Sequence, residues 1–369
     1  MLKRLFVSNY RGLDNFEFKP EGLQSALLIG KNGSGKSTLA SVLRIFQAIG
    51  RGTNRVDALV SPFECSFRRM HLPTRFEIEA FVEGQLFHYT LVLAASKFDL
   101  TTEPPPQELR VHQEKLTING AEAFLRERGA SPDAYLDWGF VALPMMLFHD
   151  QAKRMDAWRK WLAQMVILAP IPKRMHGNSS NESLWPEPDG SNFADWLSGL
   201  LSRHPMAVAP LIEYARAIIP DFAALHAVPT GRDSKMWAFS FGAPGGPASS
   251  RFELKFEELS DGEKCTFVCA ALVAANLSYG PVFTFWDEPD NYLALPEVAH
   301  FIRALRGAFA EQGQIVITTH NAEAIGTFAR EDVFLMIRNG HLEPSLIRTI
   351  SQEEANGDLV GAYRRGELG

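Results

Sequence analysis

A chain of 369 residues with 46% hydrophobic and 22% charged side chains has an ordinary globular composition, with apolar material for one large domain or two of usual size. Its formal charge of −6 gives no global reason to expect a polyanionic partner, and its three cysteines (Cys65, Cys265, Cys269) exclude a disulfide framework and show no metal-binding spacing. No run reaches the roughly 18 apolar residues of a membrane span, and "MLKRLFVSNYRG" has neither the apolar core nor the cleavage site of a signal peptide, so the expected location is the cytoplasm.

In chain order, "LKRLFVSNY" and "NFEFK" alternate apolar and polar residues around the turn "RGLD", which reads as β-structure. "SALLIG" is a short buried strand, followed by a glycine-rich loop and the apolar-periodic helix "STLASVLRIFQAI". Residues 75–94 form two alternating strands joined at "EGQ", and "EKLTINGAEAF" adds another strand and turn after the proline-rich break "TTEPPPQ". From 141 to 220 the spacing turns helical, interrupted by "HGNSSNESLWPEPDGS", which reads as a mobile loop. After "APGGPASS" the order is "RFELKF", a long apolar helix over 263–278, "PVFTFW", a helix, "QIVITT", a helix and "VFLMI", with "RNGH" as a hairpin turn. That alternation predicts an α/β fold with a parallel, helix-covered sheet. We divide the chain into an N-terminal lobe with an antiparallel β subdomain (1–140), a helical insertion (141–250), a second α/β lobe (251–350) and a polar tail (351–369). There is no internal repeat, and no heptad run long enough for a coiled coil.

Four short elements carry chemistry. "GKNGSGKS", residues 30–37, fits the G-x-x-x-x-G-K-[ST] loop and stands between a strand and a helix. Gly30, Asn32, Gly33, Ser34, Gly35 and Thr38 would place backbone N–H groups around phosphate oxygens; Lys36 would reach the β- and γ-phosphates and Ser37 would ligate Mg²⁺. "PVFTFWDEP" ends a buried strand in two carboxylates, setting Asp287 toward the metal and Glu288 toward an attacking water. "QIVITTH" ends another at His320, one strand-helix unit later, where a γ-phosphate sensor is expected. "LSDGEK" opens the long helix: Ser260 reads either as an ordinary N-cap or, with Gly262, as an anion contact.

Taken in order, these elements resemble the ABC-type ATPase head of the SMC/RecF/OLD-like branch, over residues 1–49 and 256–349. The resemblance implies an ABC-ATPase head with a mixed or parallel P-loop sheet, an antiparallel β subdomain and a helical insertion. It implies ATP and Mg²⁺ as cofactors, and a head-to-head dimer or larger homo-oligomer. In such a pair Ser260 and Gly262 act on the ATP held by the other copy, and Asn291 of "DNYLAL" lies in the loop crossing the interface. "NYRGLDNF" looks like the Asn-aromatic-Arg segment of these proteins and would bring Arg11 near the nucleotide, although an exposed turn arginine reads equally well. A glutamine coupling nucleotide state to the helical lobe is not placed: Gln85 sits at a hairpin turn and Gln151 is a guess by context.

Two basic clusters, Arg51, Arg55, Arg68, Arg69 and Arg75, and Lys153, Arg154, Arg159, Lys160, Lys173 and Arg174 with Trp158 and Trp161, keep nucleic acid open as a partner. The competing and favoured reading is a solvated face with its tryptophans in the core. The expected function is a soluble Mg-dependent ATPase resembling the stand-alone ATPase subunits of bacterial antiphage defence systems. Only 49 residues follow His320, which predicts a separate effector polypeptide. A RecF-like DNA-repair ATPase is the alternative; a transporter motor is disfavoured by "LSDGEK", by the unplaced glutamine and by the β-rich insertion, and a non-hydrolysing scaffold by the presence of Lys36, Asp287, Glu288 and His320.

Overall fold

The structure is a computed structural model that describes residues 1–65, 72–95, 108–129, 136–146, 152–243, 246–247, 251–350 and 359–366. Arg68, Arg69 and Gln151 lie outside the described residues. Among the described residues the strands form three sheets.

The first is antiparallel and runs β2-β1-β4-β5-β6-β7, with β1 Leu2–Ser8, β2 Phe16–Phe18, β4 Thr74–Val82, β5 Gln85–Ala95, β6 Leu109–Ile118 and β7 Ala121–Glu127. Its alternating sequence buries one face, including Leu5, Val7, Phe76, Ile78, Tyr89 and Leu91, and leaves Phe6, Arg75 and His88 at least partly exposed on the other.

The second sheet runs β16-β15-β3-β14-β13-β8 and holds the motifs. It is built from β3 Ser25–Ile29, β8 Val166–Leu168, β13 Phe283–Asp287, β14 Gln314–Thr318, β15 Val333–Ile337 and β16 Leu346–Thr349. All neighbours are parallel except β15 and β16. These strands read as unbroken apolar runs because helices or the first sheet cover both faces. The third strand divides the core: Leu27 and Ile29 face one cluster, Ala26 and Leu28 the other.

Helix α1 (Lys36–Gly50) follows the glycine-rich loop, with a short α2 (Val56–Leu59) after it. Helix α3 (Ala152–Ala163) crosses α1 closely, since a Cβ on Gly50 would stand 2.6 Å from Leu162 Cβ. Trp158 and Trp161 stack on each other at 5.4 Å and are buried, which settles them in the core. Helices α4 (Phe193–Arg203) and α5 (Val208–Ile218) pack against α6 (Asp261–Ser278), in which every residue from Lys264 to Asn276 is buried. A helix apolar all round belongs between layers. Helices α7 (Leu295–Ala308) and α8 (Ala322–Ile325) complete the second lobe, and α9 (Leu359–Arg364) docks on α8 from the tail. No helix among the described residues is long and apolar enough to cross a membrane.

Three expectations change. "RFELKF" forms β12 (Phe252–Lys255), which pairs antiparallel with β11 (Lys235–Phe241) in a third sheet with β9 (Asn178–Ser179) and β10 (Phe222–Pro229), not in the parallel sheet. Its side chains are mostly exposed, unlike the buried parallel strands. The segment 141–250 is accordingly mixed rather than helical; β8 abuts the end of α3, so its short apolar run "VIL" reads as more helix. The supposed mobile loop is pinned: Asp195 Oδ1 accepts from Ser180 N and Asn181 N at 3.1 Å each, and a Cβ on Gly199 would meet Ser183 O at 2.1 Å. That glycine lets the loop lie directly on α4.

Candidate active site

The loop after β3 turns on glycine. Gly33 (φ +81°) and Gly35 (φ +108°) adopt backbone that other residues avoid, and a Cβ on Gly30 would stand 2.3 Å from Met336 O. Helix α1 starts at Lys36 without a side-chain cap, so its first N–H groups face the loop as an anion cradle.

Lys36 is buried, and its Nζ donates to Gly30 O at 2.7 Å and lies 2.9 Å from His320 Nε2. Burial pulls its pKa below the ordinary lysine value, against the opposing pull of Glu288 and Asp287. Ser37 Oγ donates to Asp287 Oδ2 at 2.8 Å, and Thr318 Oγ1 donates to the other carboxylate oxygen. Parallel register explains the latter, since Asp287 and Thr318 are partners at the ends of β13 and β14.

Glu288 sits at φ +52°, a strained conformation for a side-chain-bearing residue. Its N–H donates to Thr318 O and Thr318 Oγ1 at 3.1 and 3.0 Å, which holds the turn. Its carboxylate accepts from Asn291 Nδ2 at 2.6 Å and lies 3.2 Å from His320 Nε2. One imidazole nitrogen thus faces both an ammonium and a carboxylate. With a lone pair it accepts from Lys36; with a proton it donates to Glu288; it cannot do both at once.

Burial, and then Lys36, push the His320 pKa down, so the ring is neutral at neutral pH. A folded-state pKa below the unfolded one keeps the neutral ring, and the activity that depends on it, as pH falls through the usual imidazole range. We expect the acid limb of a pH–rate profile to lie below about pH 6.5. A His320-dependent limb at or above that value would contradict this geometry.

The cavity in this loop holds about 260 Å³ and is lined by Asn32 to Thr38 with Glu288 and His320. The residues suit a nucleotide: Ser34 and Ser345, both buried there, have hydroxyls without hydrogen-bond partners. Ser37 and Asp287 are hard oxygen donors that could hold Mg²⁺ beside phosphate and water.

The other expected residues lie elsewhere. Ser260 caps α6 in a capping box with Glu263, accepting from Glu263 N at 3.3 Å, and is exposed. Gly262 packs under Tyr292, where a Cβ would stand 3.0 Å from Tyr292 O. Neither lines the cavity, whereas Asn291 reaches it through Glu288. Arg11 pairs with Glu64 at 2.6 Å and reaches Ser41 Oγ at 3.4 Å, beside the second turn of α1 rather than at the loop. Gln85 begins β5 in the first sheet; the strand end next to Asp287 instead leads into Ala169 and Pro170.

Reading by motif missed Thr318, Asp290, Gly12, Arg338 and Ser345. Asp290 is buried and accepts from Thr319 Oγ1 at 2.9 Å, tying the turn after Glu288 to the end of β14. Burial raises its pKa. Tyr363 Oη on α9 donates to His320 O at 3.4 Å.

A family described as "AAA domain, putative AbiEii toxin, Type IV TA system" matches residues 154–326. No curated protein matches the sequence. Among solved structures the chain is similar to the SMC head bound to the C-winged helix domain of ScpA, with TM-score 0.57 and 12% identity over 96% of this chain and 99% of that one. It is also similar to the Smc head domain with an extended coiled coil bound to the C-terminal domain of ScpA derived from Pyrococcus furiosus (TM-score 0.50, 11% identity, 96% and 97% covered). The SMC head domain from Thermotoga maritima follows at TM-score 0.49 and 14% identity, over 95% and 99%. The chain thus has the fold of the SMC head through nearly its whole length, with an AAA family matching residues 154–326 at its centre.

Proposed function

We propose that the chain binds ATP with Mg²⁺, hydrolyses it between two copies of itself, and by doing so switches an associated complex. The observation that carries this reading is the convergence of Lys36 Nζ and Glu288 Oε1 on His320 Nε2, at 2.9 and 3.2 Å, over a phosphate-binding loop. Glu288, fixed by Asn291, orients a water and accepts its proton. Neutral His320 reads the terminal phosphate, and Lys36 stabilises the charge that spreads over it. Ser37 and Asp287 would hold Mg²⁺, which when bound would supply charge neutralisation to the phosphates. The chemistry is positioning plus electrostatics, so an incomplete site is slow.

Exposure of Ser260 at the start of α6, outside its own chain's cavity, supports completion of the site by a second copy. The matched family is described as an AAA domain and putative toxin of a toxin–antitoxin system, which supports a place in a system of more than one component; that this system defends against phage, with a separate effector, rests on the resemblance of the motifs alone. Two of the similar SMC heads are bound to ScpA domains, which supports a partner protein as the element that is switched. The purified chain alone, given ATP and Mg²⁺, should release phosphate at a rate per chain that rises with chain concentration and then levels off. A concentration-independent rate would remove the shared site, and no Mg-dependent release would remove the ATPase reading.

A further inference from the structure

We propose that the connection between β15 and β16 is a third wall of the nucleotide site, and that Arg338 and Ser345 bind the phosphates common to ATP and ADP rather than the terminal one. The inference rests on the ATP-binding reading above and adds two ligands that no motif marks.

The sheet order places them. Strand β3 lies between β14 and β15, so the loop after it is flanked by His320 from the end of β14 and by Arg338 from the end of β15. Glu288 and His320 mark the side where the terminal phosphate is cleaved. Arg338 stands on the opposite flank of the same cavity, with Gly12 and Ser345.

The arginine is held in a fixed pose. Its Nε donates to Glu343 O at 3.0 Å and its Nη2 to His341 O at 2.7 Å, both within the connection. Its plane lies on Gly12, where a Cβ would stand 3.0 Å from the guanidinium carbon. Among the described residues it makes no ion pair, and Nη1 has no hydrogen-bond partner. A guanidinium clamped by two carbonyls through Nε and Nη2, with Nη1 left at a cavity, is preorganised for phosphate.

Ser345 is the second, independent observation. Its N–H donates to Gly12 O at 2.8 Å, locking the connection to the β1–β2 turn, and the residue is only 1% exposed. Its hydroxyl nevertheless lacks a partner and lies 3.0 Å from where a Cβ on Gly35 would be. Ser34, 2% exposed in the same loop, has the same orphan hydroxyl. Two buried hydroxyls without partners, around a loop that bears Lys36 and faces Arg338, call for an anion that accepts from both.

The test is equilibrium binding of ATP and of ADP in a Glu288→Gln background, so that ATP stays intact, with the thermal midpoint recorded for each variant. Arg338→Ala should weaken ATP and ADP by the same factor, about tenfold or more, and Arg338→Lys should recover part of it. Ser345→Ala keeps the backbone bond to Gly12 and should weaken both nucleotides several-fold without lowering the midpoint, which covers the case in which Arg338→Ala does not fold. Unchanged affinities overturn the proposal. A loss confined to ATP overturns the placement, because it puts these residues at the terminal phosphate. A lower midpoint with fewer binding sites at unchanged affinity assigns Arg338 a purely structural role and overturns it too. Failure of the Glu288→Gln protein itself to bind ATP would sink the ATP-binding reading instead.

Discussion

Replacing Glu288 with glutamine should lower turnover at saturating ATP by at least about 100-fold, the scale of a lost general base, while ATP remains bound. The amide keeps the size of the side chain and can still accept from Asn291, whose Nδ2 now donates to the carboxylate at 2.6 Å. The strained turn at φ +52° is held by backbone bonds to Thr318 and survives the change. What disappears is the proton acceptor beside His320. Phosphate release and nucleotide retention, measured on the same sample, check this. Turnover within a few-fold of the wild type would remove Glu288 from the base role and leave it as a structural partner of His320.

Lys36→Ala should reduce nucleotide affinity by about 100-fold or more, because its ammonium is the principal charged donor on the loop. The same change should leave the thermal midpoint unaltered or slightly raised. Burial depresses the lysine's pKa, so the charged form costs folding energy in the folded state, and alanine relieves that cost. A binding loss with no loss of stability separates a ligand-binding lysine from a scaffold one. Unaltered affinity, or a midpoint lowered in step with affinity, would contradict the assignment.

The parts of the site that could be read from sequence were those in which local order and chemistry coincide. A buried run ending in "GKNGSGKS", "WDEP" or "TTH" fixes a strand end, and a strand end fixes where its polar residues emerge. The parts that could not be read depend on pairing. Thr318 meets Asp287 only because β13 and β14 are parallel and in that register, and Arg338 reaches the loop only because β15 lies beside β3. "RNGH" reads as a turn signal, which it is, and nothing local shows that the turn folds over Gly12. "RFELKF" failed for the complementary reason: four residues of edge strand carry too little pattern to reveal which sheet they join. Arg11 satisfies the spacing of its motif and yet pairs with Glu64, because a positive-φ turn and a neighbouring carboxylate decide where a long side chain goes.

The central claim is that one copy's P-loop works with another copy's signature loop, and mixing two inactive chains tests it most directly. Lys36→Ala spoils the first and leaves Ser260 intact; Ser260→Arg spoils the second and leaves Lys36 intact. In a mixed dimer one site combines both intact parts, so an equimolar mixture should recover about a quarter of wild-type phosphate release, half the dimers being mixed and each having one complete site. Release no greater than the sum of the two separate chains would contradict the account.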